Sequence, residues 1–179
     1  MYDLNRAAGF SLIEMMVVVT IGAVLTVVAI SSFNTELQSK SVASEEKDFV
    51  NLMQFARAEA LREGSPVTVC VSSTGVSCTL GTSWDVGYIV FSDYNGSGGN
   101  SANEPILRKQ KGFTNGDTLA SNKTNFIFNR LGFVSNINAG TSVLLTGHSR
   151  VPSSYSTQCI SVNVVGQMTT VPYGSGGCS

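Results

Sequence analysis

The sequence predicts an α+β protein: a long N-terminal α-helix, its first half membrane-spanning, packed through its second half on a small antiparallel β-sheet head domain. Three observations carry this reading. Phe10 to Ile30 reads FSLIEMMVVVTIGAVLTVVAI, an almost unbroken apolar run. Residues 35–63 contain no Pro or Gly and are rich in Ala, Glu, Leu and Met. After Pro66 the pattern changes to short β-rich runs separated by Gly, Ser and Asn.

The charges are distributed in the same three blocks. The chain has 179 residues and 13% charged side chains, with 11 Lys plus Arg against 12 Asp plus Glu. A formal net charge of −1 argues against a strongly basic nucleic-acid binder and against an acidic disordered tail. Between Arg6 and Glu36 the single ionisable residue is Glu14. Glu36 to Glu63 then holds ten charges, and the remaining 116 residues hold ten more.

The apolar run comes first. About 21 residues at ~1.5 Å each match the ~30 Å hydrocarbon core of a bilayer. A cleaved secretory signal would be shorter and would end in a small-residue site, whereas charged helix-forming residues follow here. A soluble core helix rarely carries so long an unbroken run. Inside such a span Glu14 costs a few kcal/mol, so an ionisable residue there is a functional candidate by default.

At these residues the sequence resembles the type IV pilin family, which includes the pseudopilins of type II secretion. The family's signature is a short leader ending in Gly, then Phe, then a glutamate at the fifth mature position. Here these are MYDLNRAA, Gly9, Phe10 and Glu14, within GFSLIEMMVVV. The leader departs from the pattern in one respect, because Asp3 cancels Arg6 where such leaders lean basic. The resemblance implies that a prepilin peptidase cuts between Gly9 and Phe10 and N-methylates the new Phe10 amine. It also implies a single-pass inner-membrane protein with its head in the periplasm. The chain would wait in membrane lipid until the inner-membrane assembly platform draws it into a fibre at the cell surface, with other minor and major pilins. Glu14 then has a counter-charge, the Phe10 amine of its own or a neighbouring subunit, and one buried polar pair of that kind sets registry.

The helix is expected to continue. Val42, Phe49, Met53, Ala56 and Ala60 recur at helical spacing and form an apolar face. Glu45, Lys47, Asp48, Asn51 and Glu59 are assigned to the opposite, solvated side. Gly64 followed by Pro66 is a helix stop. The organisation read from the sequence is therefore a leader (1–9), a membrane and assembly helix (10–34), an amphipathic continuation (35–63) and a β-rich head (64–179).

Within the head, strands are expected at 67–72, 87–92, 106–109, 126–129, 142–146, 159–164 and 168–171. Segments 95–103, 115–125 and 149–158 read as loops. Many short strands behind one helix indicate antiparallel sheets. The run FARAEALREGSPVTVC (55–70), Trp84 and GYIVFSDYNG (87–96) resemble the GspH/FimT branch of the family, nearest its FimU-type minor pilins. That resemblance implies a structural component that primes pilus assembly and sits in the fibre tip complex, serving twitching motility and adhesion. A FimT-like DNA-binding competence pilin and a GspH-like pseudopilin are the alternatives.

Cys70, Cys78, Cys159 and Cys178 all lie beyond the membrane helix, and their spacing fits no CxxC zinc template. An even number in an exported domain favours disulfides. Joining sequence neighbours, Cys70 with Cys78 and Cys159 with Cys178, needs only a hairpin and a terminal loop; crossed pairings stay open.

Two binding motifs are weighed. In DYNGSGGNSANE, Asp93, Asn95, Ser97, Gly98 and Glu104 fall at positions 1, 3, 5, 6 and 12 of an EF-hand calcium template. The loop follows a strand rather than a helix, and Asn, Asp and Gly suit any exposed loop. The DNA-binding element of FimT-type pilins is a GRxR motif after a strand; the matching stretch here is Gly166, Gln167, Met168 and Thr169, without arginine. Arg108, Lys109, Lys111, Lys123, Arg130 and Arg150 against four acids leave the head at a net charge too small to favour DNA as a partner. No catalytic motif such as GxSxG, a P-loop or HExxH is present, and no cofactor is called for. His148, in GHSRVP, reads as an ordinary loop histidine. The chain reads as the substrate of a processing enzyme and not as an enzyme.

Overall fold

The computed structural model describes residues 10–79, 81–150 and 156–179, without the side chains of 27–36 and 38. The leader and Gly9 therefore lie outside the described residues. One helix, α1 (Leu12–Glu63), opens the chain. It stops where the sequence demands: Gly64 takes φ +65° and donates its N–H to Ala60 O at 3.1 Å, closing the last turn in a left-handed conformation that glycine adopts without strain. The chain forms two compact units, Met1–Leu37 and Gln38–Ser179.

The second unit is a helix segment and two four-stranded antiparallel sheets. The first sheet has the order β3-β2-β1-β5, built from β1 (Val67–Val71), β2 (Gly87–Ser92), β3 (Ile106–Lys111) and β5 (Asn125–Phe128). The second has the order β4-β6-β7-β8, from β4 (Thr118–Ser121), β6 (Ser142–His148), β7 (Thr157–Asn163) and β8 (Met168–Val171). A 3₁₀ turn, Trp84–Val86, leads into β2.

The apolar face read from helical spacing is the buried one. Val42, Phe49, Met53, Ala56 and Ala60 are all buried, and from Phe49 onward they join one core with side chains from both sheets. Period-two alternation divides β1: Val67, Val69 and Val71 point into this core, while Cys70 joins a smaller cluster with Ile89 and Phe91 on the other face. The Cys70–Cys78 disulfide brings Cys78 against that smaller cluster, and Cys159–Cys178 ties the C-terminal tail to β7. Sequence neighbours are thus the pairs that form. Each crosslink contributes about 2–4 kcal/mol in the loop-entropy picture.

Four expectations need correction. The segment 115–125 is not all loop, because Thr118–Ser121 pairs with β6 as an edge strand. Its signal is weak: four residues after a Gly-Asp pair, with only Leu119 buried. Likewise 149–158 is shortened by β7, which begins at Thr157. His148 is the last residue of β6 rather than a loop residue, paired with Thr157, whose Oγ1 lies 3.0 Å from its Nδ1. Glu45 is not on a solvated side but half-buried.

Phe49 is the centre of the packing. It meets Trp84 edge-on at 5.3 Å and Tyr88 at 5.4 Å, and Trp84 in turn contacts Phe126 at 5.4 Å. The Trp84 indole N–H donates to Lys123 O at 3.0 Å, so the ring buries no unsatisfied polar atom. Phe49→Ala is expected to cost about 3–5 kcal/mol, whereas Ala at exposed Asn51 should shift stability by under about 0.5 kcal/mol. Denaturant unfolding of the full chain in detergent, followed by fluorescence of the single tryptophan, measures both.

Candidate functional site

The first unit presents apolar side chains on every side of its helix. Leu12, Ile13, Met15 through Val19, Ile21, Val24 and Leu25 are each at least half exposed. Such a surface requires lipid or other helices around it. Two of its hydroxyls are satisfied internally: Thr20 Oγ1 donates to Val17 O at 2.8 Å and Thr26 Oγ1 to Gly22 O at 2.7 Å. Those hydroxyls need no water. Glu14 sits in the first turn of α1, where unpaired N–H groups and the helix dipole favour a negative charge. Phe10, 77% exposed, precedes it. Among the described residues no helix is long and apolar enough to cross a membrane. The apolar run continues past Thr26, and its side chains there lie outside the described residues.

The loop after β2 is built around Asp93, which is fully buried. Its Oδ2 accepts from Thr68 Oγ1 at 2.7 Å and from the Gly98 N–H at 2.9 Å, and its Oδ1 accepts from the Ser97 N–H at 3.0 Å. Asn95 Oδ1 accepts from the same Ser97 N–H, and Glu104 Oε2 accepts from the Ser101 N–H at 2.7 Å. Gly98 has φ +78°, and a Cβ there would lie 2.5 Å from Asn125 Nδ2, which donates to Gly98 O. The side-chain oxygens of the calcium template are thus turned to backbone donors. A cation would have to displace those hydrogen bonds, and among the described residues no three His, Cys, Asp or Glu side chains are grouped to hold a metal.

The six basic residues of the head do not form one patch with one role. The Arg108 guanidinium stacks 3.8 Å over the Phe55 ring, and Lys123 Nζ donates to Asn136 O at 2.7 Å. Lys109 and Lys111 stand exposed on β3, an edge strand, where charge discourages pairing with another sheet. In the turn before β8, Asn163 Oδ1 accepts the Gln167 N–H at 2.9 Å and Gly166 takes φ +73°.

Sequence periodicity missed two charged positions on α1, both at the ends of the row Glu45, Phe49, Met53, Arg57. Glu45 and Glu46 lie beside Phe113, Leu119 and Ile160 of the second-sheet region. Burial first, then the neighbouring Asp117, and then Asp48 and Asp85, push Glu45 up to about 7. Its Oε2 has no hydrogen-bond partner among the described residues. Asp117 itself accepts from Ser41 Oγ at 2.8 Å and from the Arg150 N–H at 3.0 Å. Burial raises Glu46 too, partly offset by the 2.8 Å hydrogen bond from Thr170 Oγ1. The Tyr88 hydroxyl, buried and without a hydrogen-bond partner among the described residues, is raised by burial and by Asp48 and Glu45. Arg57 lies at the other end of the row, under two glycine turns.

Comparison with known proteins follows this geometry. A model of the family described as Type II transport protein GspH matches residues 47–166. A second, the prokaryotic N-terminal methylation motif, matches residues 4–30. No curated protein matches. Two crystal structures of the type IV minor pilin FimU from Pseudomonas aeruginosa share the fold. One, in space group P21, is 16% identical with a TM-score of 0.58, covering 74% of this chain and 90% of that one. The other, in space group P65, is 18% identical with a TM-score of 0.53, covering 74% and 92%.

Glu45 makes head stability pH-dependent. Its carboxyl binds a proton more readily folded, near 7, than at the ordinary value of 4.5, so the folded state holds the extra proton between those values. The stability this contributes is complete below about pH 4.5 and is lost as pH rises through about 7. The denaturation midpoint of the full chain should fall between about pH 5 and pH 8, and Glu45→Gln should flatten that slope and raise the midpoint at the alkaline end. A slope unchanged by the substitution contradicts the assignment.

Proposed function

We propose, from the premise that this chain belongs to the GspH family and carries the N-terminal methylation motif, that it works as a minor type IV pilin priming fibre assembly within the tip complex. The observation that carries the reading is the coupling of two parts in one chain. The apolar helix exposed at every side lies within the matched methylation motif, residues 4–30, and a disulfide-linked β head follows it in the sequence. The head's likeness in fold to FimU, described as a type IV minor pilin, supports the pilus rather than the secretion role. The family is a structural one.

In this reading a prepilin peptidase removes residues 1–9, cutting after Gly9, and methylates the Phe10 amine. The mature chain stays in the inner membrane with its head in the periplasm, an oxidising compartment consistent with both disulfides. Assembly then exchanges lipid for the helices of neighbouring pilins, and Glu14 meets an N-terminal amine there. The head supplies lateral contacts. A second reading, a pseudopilin of type II secretion, draws on the printed description of the matched family.

Processing is directly measurable. Co-expressed with a prepilin peptidase, the chain should lose its first nine residues and begin with N-methylated Phe10 by intact mass and N-terminal sequencing; Gly9→Val should remain full length. In a deletion strain, loss of surface fibres with secretion intact supports the pilus role. Loss of secretion with fibres intact supports the second reading.

A further inference from the structure

Among the described residues Arg57 is a cation with almost nothing to bind. It lies in an open groove of about 420 Å³ between Gln54, Ala58 and Leu61 on α1 and the turn at Gly166 and Gln167. Two glycine turns close over its stem. A Cβ on Gly132 would sit 3.1 Å from Arg57 Nε, and one on Gly166 would sit 3.3 Å from Nε and 2.8 Å from Gly132 O. Both glycines have positive φ, 77° and 73°, so both the space and the backbone conformation call for glycine. Nε is thereby sealed without an acceptor among the described residues.

A guanidinium carries five donors. Among the described residues the acceptor for Arg57 is Gly166 O, a long 3.4 Å from Nη1, and no carboxylate pairs with it. A half-buried, unpaired charge is costly unless an external group completes it. The surroundings indicate which kind. Leu61, Leu131, Phe133 and Val165, the last three adjoining the two glycines, are 53%, 63%, 40% and 42% exposed. An arginine beside exposed Leu61, under two glycines whose chain neighbours are exposed apolar residues, is the arrangement of a protein-interface anchor. A nucleic-acid backbone would instead be met by polar and charged contacts.

We propose that this groove docks a neighbouring pilin subunit of a different sequence, which inserts an Asp or Glu side chain flanked by apolar residues onto Arg57. The carboxylate completes the guanidinium, and the apolar flank covers the four exposed side chains and keeps water from the pair. The proposal rests on the fibre reading above and adds the chemistry of one contact within it.

The test places the photoreactive residue p-benzoylphenylalanine at Gln54, in the groove wall, in the full chain within cells that assemble fibres. After illumination, fibres are sheared off, probed for the chain by immunoblot, and the crosslinked residue is mapped by mass spectrometry. The expected adduct lies on another pilin's head, within a few residues of an Asp or Glu. Arg57→Glu should lower its yield at least about tenfold, and so should Leu131→Glu, a change at an exposed position that leaves the fold intact. Chain present in fibres with no adduct overturns the proposal alone. An adduct to a second copy of this chain, to lipid or to nucleic acid, or a yield unmoved by both variants, overturns it too. Chain absent from fibres overturns the fibre reading together with it.

Discussion

Phe49 lies edge-on to Trp84 and Tyr88, and that contact sets the rotation of α1 about its own axis within the head. An α-helix brings residues four apart onto one row. With Phe49 locked between the aromatic rings, Met53 follows it into the core, and the two ends of the row, Glu45 and Arg57, are carried inward with them. One acid is held against a second acid, Asp117, and one base is held beneath two glycine turns without a carboxylate. The placement of Glu45 and Arg57 thus follows from the packing of a single phenylalanine.

The other end of the same helix obeys the opposite rule. Its described apolar side chains stand at least half exposed, and Thr20 and Thr26 spend their hydroxyls on their own backbone. That combination suits a segment that exchanges one apolar environment for another and is never meant to meet water. Two features of the head fit a surface built for lateral packing without uncontrolled association: lysines on the edge strand β3, and loop side chains such as Asp93 and Asn125 bonded to nearby backbone.

How much of this was legible depended on the range of the interaction. The buried face of α1, its glycine stop and the strands of strong β propensity follow from local periodicity. They were read correctly for that reason. Pairing of nearest cysteines is also local, since eight and nineteen residues separate the partners. What stayed hidden is set by other elements. Thr118–Ser121 becomes a strand because β6 offers it an edge, although its own residues signal a loop. Glu45 looked solvated because helical spacing does not reveal that the turn at Asp117 folds over it. Asp93 matched a cation template by spacing, yet its oxygens are taken by Thr68, Ser97 and Gly98, the first of them on a strand 25 residues earlier. Arg57 gave no signal at all, since its isolation is a property of two glycine turns far along the chain.

We propose that Glu14, the lone acid of the apolar segment, acts in assembly and not in anchoring. The most direct measurement follows Glu14→Ala in cells, with the chain assayed in both inner-membrane and sheared-fibre fractions. The account predicts normal membrane content and processing with the chain missing from fibres, and partial recovery in Glu14→Asp. A Glu14→Ala chain that enters fibres as the unmodified protein does would contradict it.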